Sequence, residues 1–281
     1  MSMTSIKRWM NPRVWAYVFG YLFAVMMIAP LLWMLISAFK EPGSTVTILG
    51  KLFGTPFSLE SFAKVMKPDG TAMMWRWTLN SVIVGVVQTA ITVLLSSWAA
   101  FAVSRIPFKG KTFIFALILA GMMVPVESIV VPLFQMVTDM GWSNSYNALI
   151  WPGMMLPLAF LILKQFIDQL PNELLEAAKM DGAGIFRIWA RIIFPLSSSS
   201  MAAVSIFIFI QSWNNLLWPM LVAQDTAMMT LPVGIPTFQS IFATDLAVPM
   251  ASNVLASIPA LLVFLFFQKH IIKGISMTGI K

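Results

Sequence analysis

Residues 164–200 read KQFIDQLPNELLEAAKMDGAGIFRIWARIIFPLSSSS, and the rest of the chain is organised around this stretch. Pro171 suits the first turn of a helix, where a missing N–H leaves nothing unpaired, and Glu173 and Glu176 complement the positive end of that helix. Gly182 suits the left-handed cap that ends it. A second helix then puts Ile185, Ile188, Trp189, Ile192 and Ile193 on one face, with Arg187 and Arg191 as an i, i+4 pair on another. Two short helices joined by a tight turn, apolar on one side and charged on the other, describe an amphipathic hairpin at a membrane surface. An interfacial pair that only links two spans would carry the same pattern.

Outward from this hairpin the sequence is dominated by uncharged apolar runs. A helix needs about 20 apolar residues to cross a hydrocarbon core about 30 Å thick. Six runs reach that scale: 14–38, 78–104, 112–136, 146–163, 201–223 and 248–268. They are continuous, without the alternation that a barrel's two faces impose, so they predict helices. Composition agrees: of 281 residues, 59% are hydrophobic and 10% charged, with mean hydropathy +0.84, where a soluble domain carries about 25% charged residues. A free cytosolic enzyme, a disordered chain and a basic nucleic-acid reader are excluded.

The sequence therefore predicts an all-α polytopic membrane protein. Residues 1–13 form an N-terminal segment, 14–268 a six-helix domain interrupted by the loop 164–200, and 269–281 a C-terminal tail. The first run follows Lys7, Arg8 and Arg13 like a secretory signal but is too long for one, so it reads as a retained helix. Pro30, Pro125, Pro132, Pro152, Pro157 and Pro259 predict kinks. Ser81 with Gly85, and Ser96 with Ala100, place small residues on one face, where neighbouring backbones can come close, and predict that the second span is central.

Six spans put both termini on one side. Of the 18 Lys and Arg, 13 flank the spans on that side, while the other five, Lys40, Lys51, Lys64, Lys67 and Arg76, share a single loop. Basic residues concentrate on the cytoplasmic side, so the termini and the hairpin are expected there.

Cofactor chemistry is nearly closed off. With no cysteine and one histidine, His270, there is no disulfide, thiolate cluster or His-based metal site, and the expected metal set is empty. Gly110, Lys111 and Thr112 mimic the end of a phosphate-binding loop, but that loop needs a glycine where Arg105 stands. Any ATP hydrolysis belongs to another polypeptide.

The order Glu176, Ala177, Ala178, then Gly182, then Ile192, Phe194 and Pro195 resembles the EAA signature of permease subunits of binding-protein-dependent ATP-binding cassette (ABC) importers, with Phe194 in place of the usual Leu. The segments NSVIVG at 80–85, SRIPFKGK at 104–111, MMVPVESIVVPLF at 122–134 and WNNLLWP at 213–219 extend the likeness over nearly the whole chain. They are most similar to carbohydrate-type permeases such as the smaller membrane subunit of maltose importers. Asn215 departs from the pattern, since an acidic residue is usual there.

The resemblance implies the six-helix type I ABC importer permease (MetI-like) fold and a role in importing a sugar or sugar-like solute. It implies a bacterial inner-membrane location and no enzymatic activity or cofactor in this chain, ATP and Mg being held by the ATPase. The implied partners are a second homologous permease, two ATP-binding subunits, an extracytoplasmic solute-binding protein and the lipid membrane, with no nucleic acid. The implied ATPase-coupling residues are Glu176, Ala177, Ala178, Asp181, Gly182 and Pro195. Adjacent alanines remove bulk, so that a partner's groove can close on the short helix, while Glu176 and Asp181 offer charged contacts at its rim. The ending KGISMTGIK, with Gly274, Gly279 and Lys281, resembles tails that reach between the two ATPases; a frayed terminus is the alternative.

Polar residues within the spans are candidates for the translocation path. Glu127 falls in the outer part of the third span, where a carboxylate is costly unless paired or wet. Asn80, Gln135, Gln211, Asn214 and Asn215 offer the amides, and Trp213 and Trp218 the flat apolar faces, by which sugars are bound. Each amide could equally join two helices, a role worth about 0.6 kcal/mol. The 22 methionines and 11 tryptophans read as core packing and an interfacial aromatic belt. A self-contained secondary transporter or channel is the competing class, but the two halves show no repeat and Glu127 is the one acid placed for ion coupling.

Overall fold

The computed structural model describes residues 12–43, 56–67, 72–154 and 156–276, with side chains within 14–267. Lys7 and Arg8 of the N-terminal segment, and the tail residues Gly279 and Lys281, lie outside the described residues. The chain divides into two compact units, one comprising Met1–Ala72 with Ile235–Ala256, the other Met73–Gly234 with Ser257–Lys281.

In the first unit, helix α1 (Pro12–Ala38) runs unbroken through Pro30, and none of its most apolar stretch is buried. A reversal follows. Lys40 bridges to Phe57 in antiparallel fashion, Ser58 N–H donates to the Phe39 carbonyl at 2.7 Å, and the Lys40 ammonium sits 4.4 Å from the Phe57 ring centroid. The Ser61 hydroxyl donates to the Lys40 carbonyl and so ties helix α2 (Glu60–Met66) to this reversal.

The second unit is built on helix α3 (Met74–Arg105). Helices α4 (Lys111–Met122) and α5 (Val126–Asp139) meet at 97°, α6 (Tyr146–Ile150, continued by a tighter turn to Gly153) and α7 (Pro157–Asp168) at 46°. Helix α8 (Glu173–Met180) follows, then α9 (Ile185–Leu196), which meets α10 (Ser198–Trp213) at 76°. Helix α11 (Leu217–Val222) precedes α12 (Leu231–Ile241) and the long α13 (Ala247–Ser276), the last two being divided between the units at Gly234/Ile235 and Ala256/Ser257. Among the described residues, helices α1, α3 and α13 are each long and apolar enough to cross a membrane, and counting each bent pair as one span gives up to six.

The expected kinks are thus full breaks in places, and proline explains where. The residue before a proline is pushed out of the helical region. Leu156 (φ −111°, ψ 100°) accordingly lies outside it before Pro157, and Pro125 itself is extended (ψ 134°) as it starts α5. In α9, Pro195 cannot donate to the Arg191 carbonyl, and the chain loosens to a π turn over Trp189–Ile193. The expected single span 201–223 is corrected: it is two helices parted at Asn214–Leu216. Pro219 has no N–H for the Asn215 carbonyl, so the helix cannot continue, while the Asn215 side chain accepts from Trp218 N–H instead.

Helix α3 is central to its unit because its polar and small residues meet those breaks. Both α7 and α10 pack along it, and a Cβ on Gly85 would lie 3.0 Å from the Phe209 ring. Gln88 donates to the carbonyls of Leu149 at 2.9 Å and Ile150 at 3.2 Å, and accepts from Ser212 at 2.6 Å. Thr92 donates to the Met154 carbonyl at 2.6 Å. Carbonyls orphaned where α6 gives way to α7 are satisfied by side chains of α3, which is what apolar surroundings demand.

Candidate functional site

Helix α8, its turn and α9 form the hairpin expected from the sequence. Helix α8 begins at Glu173, with Asn172 as the flanking residue, so Pro171 stands just before the helix and not in its first turn. The turn is built on Gly182 at φ +75°. Its N–H donates to the Lys179 carbonyl, and Ala183 N–H to the Ala178 carbonyl, each at 2.9 Å. This is the two-bond left-handed cap that glycine adopts without steric cost.

The hairpin has an exposed crest and an embedded underside. Glu176, Ala177, Asp181 and Gly182 are exposed, and Met180 is 88% exposed. Ala178 does not share that crest. At 8% exposure it joins Leu175, Ile188 and Ile193 in a cluster with Ala100, Phe101 and Val103 of α3. Of the two adjacent alanines, only Ala177 presents its low bulk at the surface; Ala178 lets α8 lie close to its own core. On the second arm Ile188 and Ile193 are buried and Trp189 and Ile192 half-buried, whereas Ile185 is 50% exposed and leaves the expected apolar face. Pro195 is exposed at the far end of α9, where it serves the bend.

An aromatic cluster holds the second arm. Trp189 stands edge-on to Trp98 at 4.8 Å, with Phe186 at 5.5 Å from Trp98. The Trp189 indole N–H donates to the Ser97 hydroxyl at 3.1 Å. Arg105, which entered the sequence reading only as a mismatch to a phosphate loop, bonds to Asn172 at the root of the first arm. An arginine in the last turn of a helix was the visible signal, since nearby helix ends offer it unpaired carbonyls.

The candidate path residues fall into two sets. Asn80 is wholly buried; it donates to the carbonyls of Ala227 at 2.9 Å and Met229 at 2.8 Å and accepts from the Tyr146 hydroxyl at 2.7 Å. Trp213 stacks on Phe209 at 5.7 Å, and the Trp218 indole donates to the Ala148 carbonyl at 2.8 Å. These three are buried; Asn80 and Trp218 join separate parts of the fold, while Trp213 stacks within its own helix. Glu127, in the first turn of α5, is exposed, as are Gln135, Gln211 and Asn214, while Asn215 is half-buried. Gly274 lies within α13, which continues into the expected tail as far as Ser276.

Comparison with known proteins bears on what such a scaffold does. The chain is 32% identical over 280 residues to an arabinooligosaccharides transport system permease protein of Halalkalibacterium halodurans, covering 98% of this chain and 100% of that one. It is 34% identical over 276 residues to a trehalose/maltose transport system permease protein of Thermococcus litoralis, covering 96% and 97%. In fold it is similar to a chain of a bacterial ABC transporter involved in the import of the acidic polysaccharide alginate, with TM-score 0.81 at 18% identity over 96% of this chain and 98% of that one. A chain of the bacterial alginate transporter in complex with an alginate pentasaccharide-bound periplasmic protein gives TM-score 0.62 at 14% identity, covering 94% of each. Residues 92–277, the two-thirds of the sequence that hold the hairpin and its supporting helices, match the family described as binding-protein-dependent transport system inner membrane component, and the chain belongs to that family.

Proposed function

We propose that this permease subunit imports a sugar or oligosaccharide and that α8 with its Gly182 turn is the coupling element gripped by an ATP-binding subunit. The observation that carries this reading is the hairpin's division of labour: a bare crest of Glu176, Ala177 and Asp181 over an underside packed into the core. A short rigid helix fixed in this way can pass on a push. The solute class follows from the relatives, whose names specify arabino-oligosaccharides and trehalose or maltose. The family description and the periplasmic protein of the alginate complex support a solute-binding protein as partner; the further partners of this reading are a second permease and two ATP-binding subunits that carry the nucleotide. The excess of basic residues beside the hairpin and termini supports a cytoplasmic location for both.

The chain has no cysteine, so Asp181→Cys gives a clean probe. In membranes containing the whole transporter it should cross-link to a cysteine in the ATP-binding subunit's cleft, and Ala177→Trp should cut that yield and ATP-driven uptake about tenfold by filling the space a groove needs. Uptake of trehalose, maltose and arabinose oligosaccharides would be measured in the same membranes. Wild-type cross-linking by the Ala177→Trp variant would remove the crest as the docking surface.

Glu127 is proposed to line the path: it is exposed in the first turn of α5, just past the 97° break. A carboxylate at that helix end is favoured by the peptide dipoles, and its position beside irregular backbone fits a wet cavity. Glu127→Gln should lower uptake several-fold without changing the amount of inserted protein; unaltered uptake would assign the carboxylate to structure alone.

A further inference from the structure

We infer that Arg105 is the positioning residue that makes the hairpin and α3 one lever, so that a displacement of the crest moves the whole of α3. This rests on the coupling role proposed above and names the residue that would carry the motion onward.

The local chemistry is asymmetric in a way that a simple surface contact is not. Asn172 occupies the capping position of α8, yet its side chain makes no capping bond to that helix. An asparagine there ordinarily accepts from the first free N–H groups. Its carbonyl oxygen instead accepts from Arg105 Nη1. Arg105 Nη2 donates to the carbonyls of Ile167 and Leu170, at the end of α7 and just beyond it. The Ile167 carbonyl, which also accepts from Leu170 N–H at 3.2 Å, belongs to the negative C-terminal end of α7, where a cation is favoured, and the Leu170 carbonyl lies two residues past that end. A guanidinium is planar, always charged and presents its donors as a fixed fork. One side chain at the last position of α3 thus holds three acceptors on the connection between α7 and α8.

The second arm is held to the same helix by other means. Trp189 donates to Ser97 and stands edge-on to Trp98, and Ile188 and Ile193 share a cluster with Ala100 and Phe101. Both arms are therefore fastened to the last third of α3. Its other end is fastened as firmly to the segment after α11. Trp77 donates to the Thr226 carbonyl at 2.7 Å, Asn80 to those of Ala227 and Met229, and Leu231 N–H to the Ser81 hydroxyl at 2.8 Å. Within this 32-residue helix the outermost fastened residues, Trp77 and Arg105, lie roughly 42 Å apart at 1.5 Å per residue, and the lever joins the hairpin to residues 226–231 across that length. Without the Arg105 fork, α8 would be held to α3 only by the packing of Leu175 and Ala178, and residues 169–172 could absorb part of the displacement locally.

The test uses the assembled transporter in lipid nanodiscs, with spin labels at Lys179→Cys on the hairpin and Leu95→Cys on α3, before and after trapping with ATP and vanadate. In the otherwise unaltered chain the distance distribution should be narrow and the same in both states. Arg105→Ala should broaden it about twofold or more and reduce the uptake obtained per ATP hydrolysed, because a loosened pivot no longer transmits. Arg105→Lys, which keeps the charge and loses the fork, should fall between. Asn172→Ala, which removes one acceptor and leaves both helices intact, should broaden the distribution modestly and serves if Arg105→Ala inserts poorly. A merely structural arginine would lower the amount of transporter and leave width and uptake per ATP unchanged, and that result would overturn the inference. The Asp181→Cys cross-link in the same preparation keeps the two claims apart: its absence overturns the docking role, whereas its presence with unchanged widths overturns only the lever.

Discussion

Gly182→Val should reduce ATP-driven uptake at least about tenfold while the chain remains inserted in the membrane at its normal level. The reason is confined to the backbone. Gly182 sits at φ +75°, and a Cβ built there would meet nothing within 4 Å, so no clash contributes. An L-residue in the left-handed region costs about 1–2 kcal/mol, and a β-branched one is a genuine outlier there. A strain of about 1.4 kcal/mol is a tenfold change in population. The strain falls on an eight-residue helix, which has little cooperative length to absorb it. The cap would open, the bonds to the Lys179 and Ala178 carbonyls would be lost, and the crest would no longer be presented in one geometry. Gly182→Asn is the discriminating companion, because asparagine tolerates the left-handed region and should recover most of the uptake. Uptake and surface-exposed protein measured on the same membranes decide the matter. Normal uptake by the valine variant would show that the turn's shape is irrelevant to transport.

Gly234→Ala should have the opposite signature, a loss of folded protein. A Cβ there would lie 2.2 Å from Cδ2 and Cε3 of Trp77 and 2.7 Å from Cε2. Trp77 is wholly buried, and its indole N–H is committed to the Thr226 carbonyl, so the ring cannot tilt away without giving up that bond. Overpacking of this kind costs about 1–3 kcal/mol, and a Cβ overlapping a large fixed ring belongs at the top of that range. The yield of detergent-solubilised protein should fall roughly tenfold. Its thermal midpoint should fall with it. Gly20→Ala is the control: that glycine lies in α1 with open space around it, so the change should be neutral or slightly stabilising. Trp77→Leu combined with Gly234→Ala should recover part of the lost yield, since it vacates the space the new methyl group needs. Full yield from the single variant would mean that Gly234 does not lie against the Trp77 ring.

The parts of this protein that were legible in its sequence are those set by single residues and their immediate neighbours. Continuous apolarity identified the spans, and one glycine after ELLEAAKMD identified the turn. Proline was less informative alone. Pro30 and Pro259 lie inside unbroken helices, whereas α5 begins just after Pro125 and α7 begins at Pro157. At the break before Pro157 the difference lies in what is nearby to take up the freed carbonyls, namely Gln88 and Thr92 on α3. The amides show the same limit. Asn80 and Gln211 are alike as lone polar residues in apolar runs, yet one is wholly buried and spent on two carbonyls and a tyrosine, and the other is exposed.

From the amino-acid sequence alone came the helical, membrane-spanning character of the chain, the placement of the hairpin between two spans and the resemblance that named its family. Those follow from hydrophobic length, from the backbone freedom of one glycine and from residue spacing, none of which needs a third dimension. Tertiary structure alone decided that Ala177 faces outward and Ala178 inward, that Gln88 takes up the Leu149 carbonyl, and that Arg105 and Asn172 grip each other at the hairpin's root. These depend on partners more than 60 positions apart in the chain, and a buried polar group takes whichever partner packing brings within hydrogen-bonding distance.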